Sequence, residues 1–256
     1  MNCIIFTGGN YPKKSEIMHF IEPLQSNSII IAADSGMNAA MAYDMKPDFF
    51  LGDMDSVKPE AVAWFKSFER SDKTTKTTKG APNAAAHQKP QNIETFPQDK
   101  DFSDTELALH KAKSLGADFT ALIGGSGGRL DHLLGILELF KGKNEPDLWL
   151  AEENAVVFAD AERRPFLSID GLSENAPVSV FPVFKTENRG AKYVCKSHNL
   201  VWQLDGLDWK SGAVSLSNRR TSSSTEPVKL EIESGSFVVI VPLCASFSFS
   251  AANAEK

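Results

Sequence analysis

The stretch Asp48–Ser56, DFFLGDMDS, decides how this chain reads. An apolar run, Phe49-Phe50-Leu51, meets Gly52 and then two carboxylates two positions apart, Asp53 and Asp55. A short, aromatic-rich run of this kind reads as a buried strand. Gly52 lets the backbone turn where a side chain would obstruct it. Both acids therefore belong just beyond a strand end, the edge at which open α/β sheets bind ligands. Two carboxylates about 5 Å apart repel by about 3 kcal/mol at an effective dielectric of 20. A site that keeps both ionised needs a cation, and paired oxygens suit magnesium. The plainer alternative is a solvated acidic turn, and the other strand ends bear on that choice.

Toward the N-terminus, Asn2–Thr7 is an apolar run closed by Gly8-Gly9, and Ser28–Ala33 is a β-branched run closed by Asp34-Ser35-Gly36. Both read as buried strands followed by tight turns. Helices are expected over Ser15–Leu24, ending near Pro23, and over Asn38–Tyr43. A third is expected from a Ser56 cap to Glu69, with Pro59 in its first turn.

Toward the C-terminus, Ser71–Asn92 is rich in Thr, Lys, Ala, Pro and Gln and poor in large apolar residues. It reads as a mobile insertion loop, although its lysines offer contacts to phosphate. Ile93–Phe96 resumes as a short strand. In PQDKDFSDTELAL (Pro97–Leu109), Ser103 and Glu106 fit the capping box. That places Asp104 in the first turn of a helix, with Lys100 and Asp101 just ahead. Acids there also suit the helix dipole with no ligand at all.

Asp118–Ile123 is a further strand. It runs into GGSGGRLDH (Gly124–His132) and a helix to about Lys141, stopped by Gly142. A glycine-rich loop feeding a helix offers backbone N–H groups to an anion, and Arg129 adds a fork suited to phosphate. The spacing is neither GxGxxG nor a P-loop. His132, on an apolar helix, reads as a packed side chain rather than a catalyst. Pro146–Leu150 is the last strand of this half.

From about Asn154 the pattern changes. Pro165–Ile169, Pro177–Phe184, Lys192–Cys195, Leu200–Leu204, Gly212–Leu216, Val228–Ile232 and Ser236–Leu243 are short β-type runs separated by turn signals. The expected fold is an α/β N-terminal domain with a mostly parallel sheet, residues 1–155, followed by an all-β sandwich domain, residues 156–256. Trp202 and Trp209 in the second half offer aromatic faces for stacking, though strand tryptophans usually sit in cores.

Composition narrows the function classes. The chain has 256 residues, a formal net charge of −6 and a pI near 5.5. An acidic balance argues against a general nucleic-acid-binding surface. Cys3, Cys195 and Cys244 have no metal-ligand spacing, and an unpaired count suggests a reducing compartment. The opening MNCIIFTGGN lacks a basic n-region and a long apolar core, so no secretory leader is expected. No apolar run approaches membrane-spanning length. A cytoplasmic protein without a membrane partner is the expectation.

Five strand ends in the first half carry polar groups: Gly8-Gly9, Asp34, Asp53/Asp55, Lys100/Asp101/Asp104 and Arg129/Asp131. In a parallel sheet with crossover helices these ends share one edge. Acids, two cations and a glycine loop would converge there, as a magnesium-nucleotide site requires.

On these residues the chain resembles the thiamine pyrophosphokinase family. The matching stretches are AADSG (Ala32–Gly36), PDFFLGDMDS (Pro47–Ser56), FPQDKDFSDTELAL (Phe96–Leu109), GGSGGRLDHLLG (Gly124–Gly135), GLDW (Gly206–Trp209) and VSLSN (Val214–Asn218). Their order and spacing agree along nearly the whole chain. The resemblance implies transfer of a pyrophosphoryl group from ATP to the thiamine hydroxyl, giving thiamine diphosphate and AMP. It implies a homodimer with thiamine near the subunit interface. By position, Asp53, Asp55 and Asp104 resemble the family's magnesium-site acids. Asp34, Arg129 and Asp131 resemble its nucleotide and pyrophosphate contacts, beside Lys100 and Asp101. Ser215 and Asn218 align with residues near thiamine, with Trp209 close in sequence.

Departures from the pattern are few. Lys100 stands where animal members carry Gln, Ser103 replaces the usual Thr, and the Ser71–Asn92 insertion is longer. Arg219-Arg220 has no counterpart with an assigned role. Two competing readings remain. Asp53-Met54-Asp55-Ser56-Val57 also fits the D-x-D-x-[TV] motif of haloacid-dehalogenase-type phosphatases, with Asp53 as nucleophile, but the later acids and lysine of that class are not convincingly placed. A non-catalytic thiamine or nucleotide sensor on the same fold is the other.

Overall fold

The strand β1 (Asn2–Phe6) lies at the centre of the first half. Its apolar residues bury both faces: Ile4 and Phe6 point to one side, Cys3 and Ile5 to the other. A parallel strand between two helical layers requires such a run. In the computed structural model, which describes residues 1–53, 55–74, 92–94, 102–185, 192–222 and 224–250, β1 pairs in parallel with β2 (Ser28–Ala33) and with β5 (Phe119–Ile123). From β2 the sheet continues through β3 (Phe49–Leu51) to β4 (Asn92–Glu94), and from β5 to β6 (Leu148–Leu150), all in parallel.

Helices α1 (Lys14–Gln25), α2 (Gly36–Ala42) and α3 (Pro59–Thr74) cover one face, through Ile17, Ile21, Ala39, Met37, Ala61 and Phe65. Helices α4 (Asp104–Ser114) and α5 (Leu130–Leu139) cover the other, through Ala108, Leu109, Ala112 and Ile136. The strand β3 shows how the sequence divides between layers. Phe50 packs with Phe65 of α3, while Phe49 and Leu51 pack on the opposite side.

The second half extends this sheet. β7 (Asn154–Asp160) pairs antiparallel with β6, and β13 (Ser236–Pro242), β9 (Val178–Pro182) and β11 (Ser215–Asn218) follow. One ten-stranded sheet results, in the order β11-β9-β13-β7-β6-β5-β1-β2-β3-β4. The α/β half and the β half are both present, and they share one mixed sheet, parallel from β4 to β6 and antiparallel from β6 through β7 to β11. Residue 155, the expected boundary, lies inside β7. A separate antiparallel sheet, β10 (Val194–His198), β12 (Val228–Ser234), β8 (Phe166–Asp170) and β14 (Ser246–Ser250), runs β10-β12-β8-β14. Its Leu167, Ile169, Val228 and Leu230 join Val157 and Val239 of the large sheet in one core, as a sandwich requires.

Several local expectations are corrected. The third helix starts at Pro59, not at a Ser56 cap, because proline has no N–H to satisfy at a first helical position. It runs on to Thr74, since extending a formed helix is cheap. Residues 75–91 of the expected insertion loop lie outside the described residues. α1 continues past Pro23 to Gln25. Leu200–Leu204 is not a strand; only a single bridge, Leu200 to Arg220, forms there. No helix among the described residues is long and apolar enough to cross a membrane.

Gly36 fixes the approach of α2 to the end of β1. A Cβ at this position would stand 2.1 Å from the Phe6 carbonyl oxygen. Gly36→Ala is therefore expected to lower the unfolding free energy by about 1–3 kcal/mol through overpacking. Urea denaturation checks this, and an unchanged midpoint would mean that β1 and α2 spread freely.

Candidate active site

The chain runs outward from β1 to β4 and then returns to place β5 on the other side of β1. The order reverses between β1 and β5, so the loops after these two strands splay apart at a switch point, where a crevice forms. A cleft of about 1000 Å³ opens there, lined by Gly8, Gly9 and Asn10 after β1, by Gly125, Gly127 and Gly128 after β5, and by the start of α4. The two loops are tied together. The Gly125 amide donates to Gly8 O at 2.7 Å, the Asn10 amide to Ser126 O at 2.6 Å, and the Ser126 hydroxyl to Asn10 O at 3.1 Å. The hydroxyls of Thr7 and Thr105, 2.5 Å apart, join the end of β1 to α4.

The helix α4 begins as its sequence suggests. Ser103 is the N-cap, its hydroxyl accepts from the Glu106 amide at 3.2 Å, and the Ser103 amide donates to Glu106 at 3.2 Å. That cap sets Asp104 at the first helical position, on the cleft wall. Asp34, at the end of β2, faces the same space with φ of +48°, while its amide donates to Leu51 O at 2.7 Å. Its Oδ1 is buried and has no hydrogen-bond partner among the described residues. The Asp34 carboxyl is pushed above the usual carboxylate range, first by burial and then by the charges of Asp104 and Asp53. The Ser35 amide and the Ser56 hydroxyl act in the opposite direction. Asp34 thus feels two of the other expected acids, Asp104 and Asp53. Asp53 and Asp55 are exposed, and the Asp55 amide donates to Asp53 Oδ1 at 3.0 Å.

Arg129 precedes α5 and is exposed. Its fork grips Asp131 twice, Nε to Oδ1 at 3.1 Å and Nη2 to Oδ2 at 2.5 Å. This clasp lowers the Asp131 carboxyl to about 2. His132, expected to pack, is instead exposed on the cleft wall, since α5 turns it away from the sheet. Lys100 and Asp101 lie outside the described residues.

In the β half the structure rearranges the expected roles. Trp209 is a core side chain, 1% exposed, with its ring edge-on to Phe237 at 5.1 Å. It has no face left for a ligand. Asn218 is fully buried and its amide is saturated: Oδ1 accepts from the Trp202 and Arg219 amides, and Nδ2 donates to Trp202 O and to Ser215 Oγ. Ser215 and Asn218 therefore brace the 200–202 segment against β11. The brace displays Trp202, the other tryptophan expected to offer a stacking face. Trp202 is exposed, with the Arg219 guanidinium 4.9 Å from its ring.

A family profile described as the thiamin pyrophosphokinase catalytic domain matches residues 20–150. The matched span carries β2 to β6 and most of the cleft wall.

The chain belongs to the thiamin pyrophosphokinase family.

Solved structures agree in fold. The thiamine pyrophosphokinase of Bacillus subtilis superposes with a TM-score of 0.65 at 16% identity, covering 94% of this chain and 99% of that one. That of Geobacillus thermodenitrificans gives 0.64 at 19%, covering 99% of each chain. The Candida albicans enzyme gives 0.60 at 15%, covering 94% and 89%. No curated protein matches the chain in sequence. Membership of the family makes the chain an enzyme of the pyrophosphotransferring kinase class.

Thiamin pyrophosphokinase chemistry invites a metal ion, and the donor set can be tested for it. Among the described residues, no three His, Cys, Asp or Glu side chains are grouped to hold a metal ion by themselves. Magnesium is not usually held that way; it keeps one or two carboxylates and takes its remaining oxygens from water and substrate phosphates. Mutually repelling acids with an orphaned buried oxygen suit an ion that arrives with a nucleotide.

Asp34→Asn is accordingly expected to stabilise the metal-free protein while weakening magnesium-ATP binding. Asn tolerates positive φ and carries no charge to desolvate. The sign follows from the raised carboxyl: the folded state holds a proton that the unfolded state releases, so stability falls as pH rises from about 3.8 through the raised midpoint. The variant should lose that part of the pH dependence. Thermal melts across pH, with and without magnesium-ATP, measure both effects.

Proposed function

We propose that the chain transfers the pyrophosphoryl group of ATP to the hydroxyl of thiamine, giving thiamine diphosphate and AMP, with magnesium as cofactor. One observation carries this reading: the family match spans the strand ends that build a cleft with repelling acids on one side and a glycine loop with Arg129 on the other.

The residues divide the work. Asp53, Asp55 and Asp104 would hold magnesium, and Asp34 would share their field. The ion, when bound, neutralises charge on the transferring group. The amides of the Gly124–Gly128 loop and the fork of Arg129 hold phosphate oxygens. Asp131 keeps that fork extended until a phosphate competes for it. Lys100 and Asp101 are assigned to the same ATP and pyrophosphate contacts. Attack at the β-phosphorus makes AMP the leaving group. Residues 1–155 form the catalytic, nucleotide-binding part and residues 156–256 the thiamine-binding part, with Ser215 and Asn218 acting as braces. A cytoplasmic setting fits the free cysteines Cys3, Cys195 and Cys244.

A homodimer is part of this reading. Val201, Trp202, Leu207, Val214 and Leu216 are exposed around the edge strand β11. Apolar side chains gathered at one edge mark an interaction surface. Leu216→Glu, which changes no core residue, should then halve the particle mass seen by light scattering. An unchanged mass would place the dimer contact elsewhere or remove it.

Incubation with ATP, magnesium and thiamine tests the reaction directly. AMP and thiamine diphosphate are the expected products; ADP with thiamine monophosphate would mean attack at the γ-phosphorus. Asp55→Asn keeps shape but removes charge, and should cost on the order of 100-fold in rate. Near-normal turnover of that variant at saturating magnesium would remove Asp55 from the site. A phosphorylated Asp53 trapped from ATP would favour the phosphatase-like nucleophile instead.

A further inference from the structure

The loop Gly124–Gly128 holds four glycines in five residues. Glycine loses more conformational freedom on ordering than any other residue, so such a loop does not keep one shape unaided. Its residues must be held from outside. The amides of Gly124 and Gly125 donate to Leu150 O at 3.1 Å and to Gly8 O at 2.7 Å. Ser126 is held at its hydroxyl, which donates to Asn10 O at 3.1 Å and accepts from the Glu152 amide at 2.9 Å. That hydroxyl is thus occupied within the protein.

Gly127, with φ of +73°, is supported by a side chain. A Cβ built there would stand 2.3 Å from Nδ2, 2.6 Å from Cγ and 3.1 Å from Cβ of Asn10. The Asn10 side chain therefore lies directly against Gly127. At Gly128 an added Cβ meets nothing within 4 Å, so the packing around the loop ends with Asn10. Asn10 is fixed in turn by a residue far along the chain: its Nδ2 donates to Glu152 Oε2 at 3.0 Å.

Glu152 comes from the turn between β6 and β7, where the sheet passes from parallel to antiparallel. The turn is itself held. The Ala151 amide donates to Asn154 O at 2.9 Å, and the Leu243 amide, just past β13, donates to Glu153 O at 3.3 Å. Asn10 and Gly127 line the cleft, whereas Glu152 is exposed and is not among the described residues of its wall. An exposed, charge-assisted contact of this kind adds little to folding. A carboxylate is also an unfavourable neighbour for an anion, since its charge alone opposes phosphate binding. Neither stability nor charge accounts for a glutamate at this position.

We infer that Glu152 is a positioning residue for the phosphate chain of the donor: it holds the Asn10 amide against Gly127, and Asn10 holds the second half of the glycine loop in its anion-binding shape. The inference rests on the proposed binding of ATP phosphates by this loop. Amides already fixed in place need no ordering when the anion arrives, and affinity rises by the cost thus avoided. Charge and positioning predict opposite signs, because removing Glu152 would tighten phosphate binding by charge and weaken it by loss of order.

Calorimetric titration with magnesium-tripolyphosphate reads the loop without a nucleoside. Glu152→Ala is expected to weaken that affinity about fivefold or more, while the affinity for thiamine stays within about twofold. Glu152→Gln keeps an acceptor for Asn10 and loses the charge, so it should bind tripolyphosphate at least as tightly as the parent. Asn10→Ala should match Glu152→Ala, and the double variant should lose no more than either alone, since each removes the same linkage. The melting temperature of Glu152→Ala should lie within about 3 °C of the parent. Should that variant fail to fold, Glu152→Asp, which keeps the charge but falls one methylene short of Asn10, replaces it. Unchanged or tighter tripolyphosphate binding in Glu152→Ala would overturn the inference, as would additive losses in the double variant. A matching loss of thiamine affinity would also overturn it, by showing general loosening. If Glu152→Ala weakens tripolyphosphate binding as expected but the parent makes no thiamine diphosphate, the inference stands and the proposed reaction fails. A parent that does not bind tripolyphosphate would overturn both.

Discussion

The site depends on one constraint, the joining of two loops at the point where the sheet reverses its order. β1 and β5 are neighbours, yet the helices that follow them lie on opposite faces of the sheet. Their loops must therefore part, and the parting is what opens the cleft. It is held at a fixed width by backbone hydrogen bonds rather than by side chains: Gly125 to Gly8 and Asn10 to Ser126. Glycine is essential to that closeness. At Gly124, with φ of +102°, a Cβ would stand 2.6 Å from the Thr7 carbonyl oxygen. The buried Trp149 then locks the loop by donating to Gly124 O at 2.6 Å. Backbone groups fixed in this way reorganise little on binding, which is the condition for electrostatic stabilisation to accelerate a reaction.

The charges around this frame are sorted, and the sorting costs stability. Asp34 sits partly desolvated near two other carboxylates with one oxygen unpartnered. A protein selected for stability alone would not keep such an arrangement, and unrelieved strain of this kind is common where a ligand completes the site. On the opposite side, Arg129 and Asp131 satisfy each other. Because both are exposed, that pair adds little to folding. Its use is geometric: it holds a bidentate fork at the mouth of the glycine loop.

Much of this was legible in the sequence, for physical reasons that differ by element. The strands β1, β2 and β5 bury both faces, so their apolar runs are continuous and easy to read. The Ser103 cap was legible because capping is local chemistry within four residues. The roles of Trp209 and Asn218 were not, since burial depends on partners far along the chain. Phe237 and Trp202 settle them. β7 went unread because its run, NAVVFAD, follows β6 after only three residues and reads as the edge of a new domain. β14, SFSFS, alternates correctly but lies past the last strong apolar run.

The position of β7 also changes what the β half can be. Had β6 ended the first sheet, the second half would be a module joined by a linker, free to move against the cleft. Instead β7 pairs with β6 over Leu148–Leu150, and β13, β9 and β11 continue the ladder without a break. Each strand fixes the next by backbone hydrogen bonds about 4.8 Å away. The brace of Asn218 on Trp202 is thereby referred, strand by strand, to the same frame that carries the glycine loop. Group transfer between two bound substrates needs the reacting atoms held within about 3–3.5 Å. A shared sheet supplies that rigidity within one chain, whereas a flexible tether would have to recover it from binding energy at every turnover.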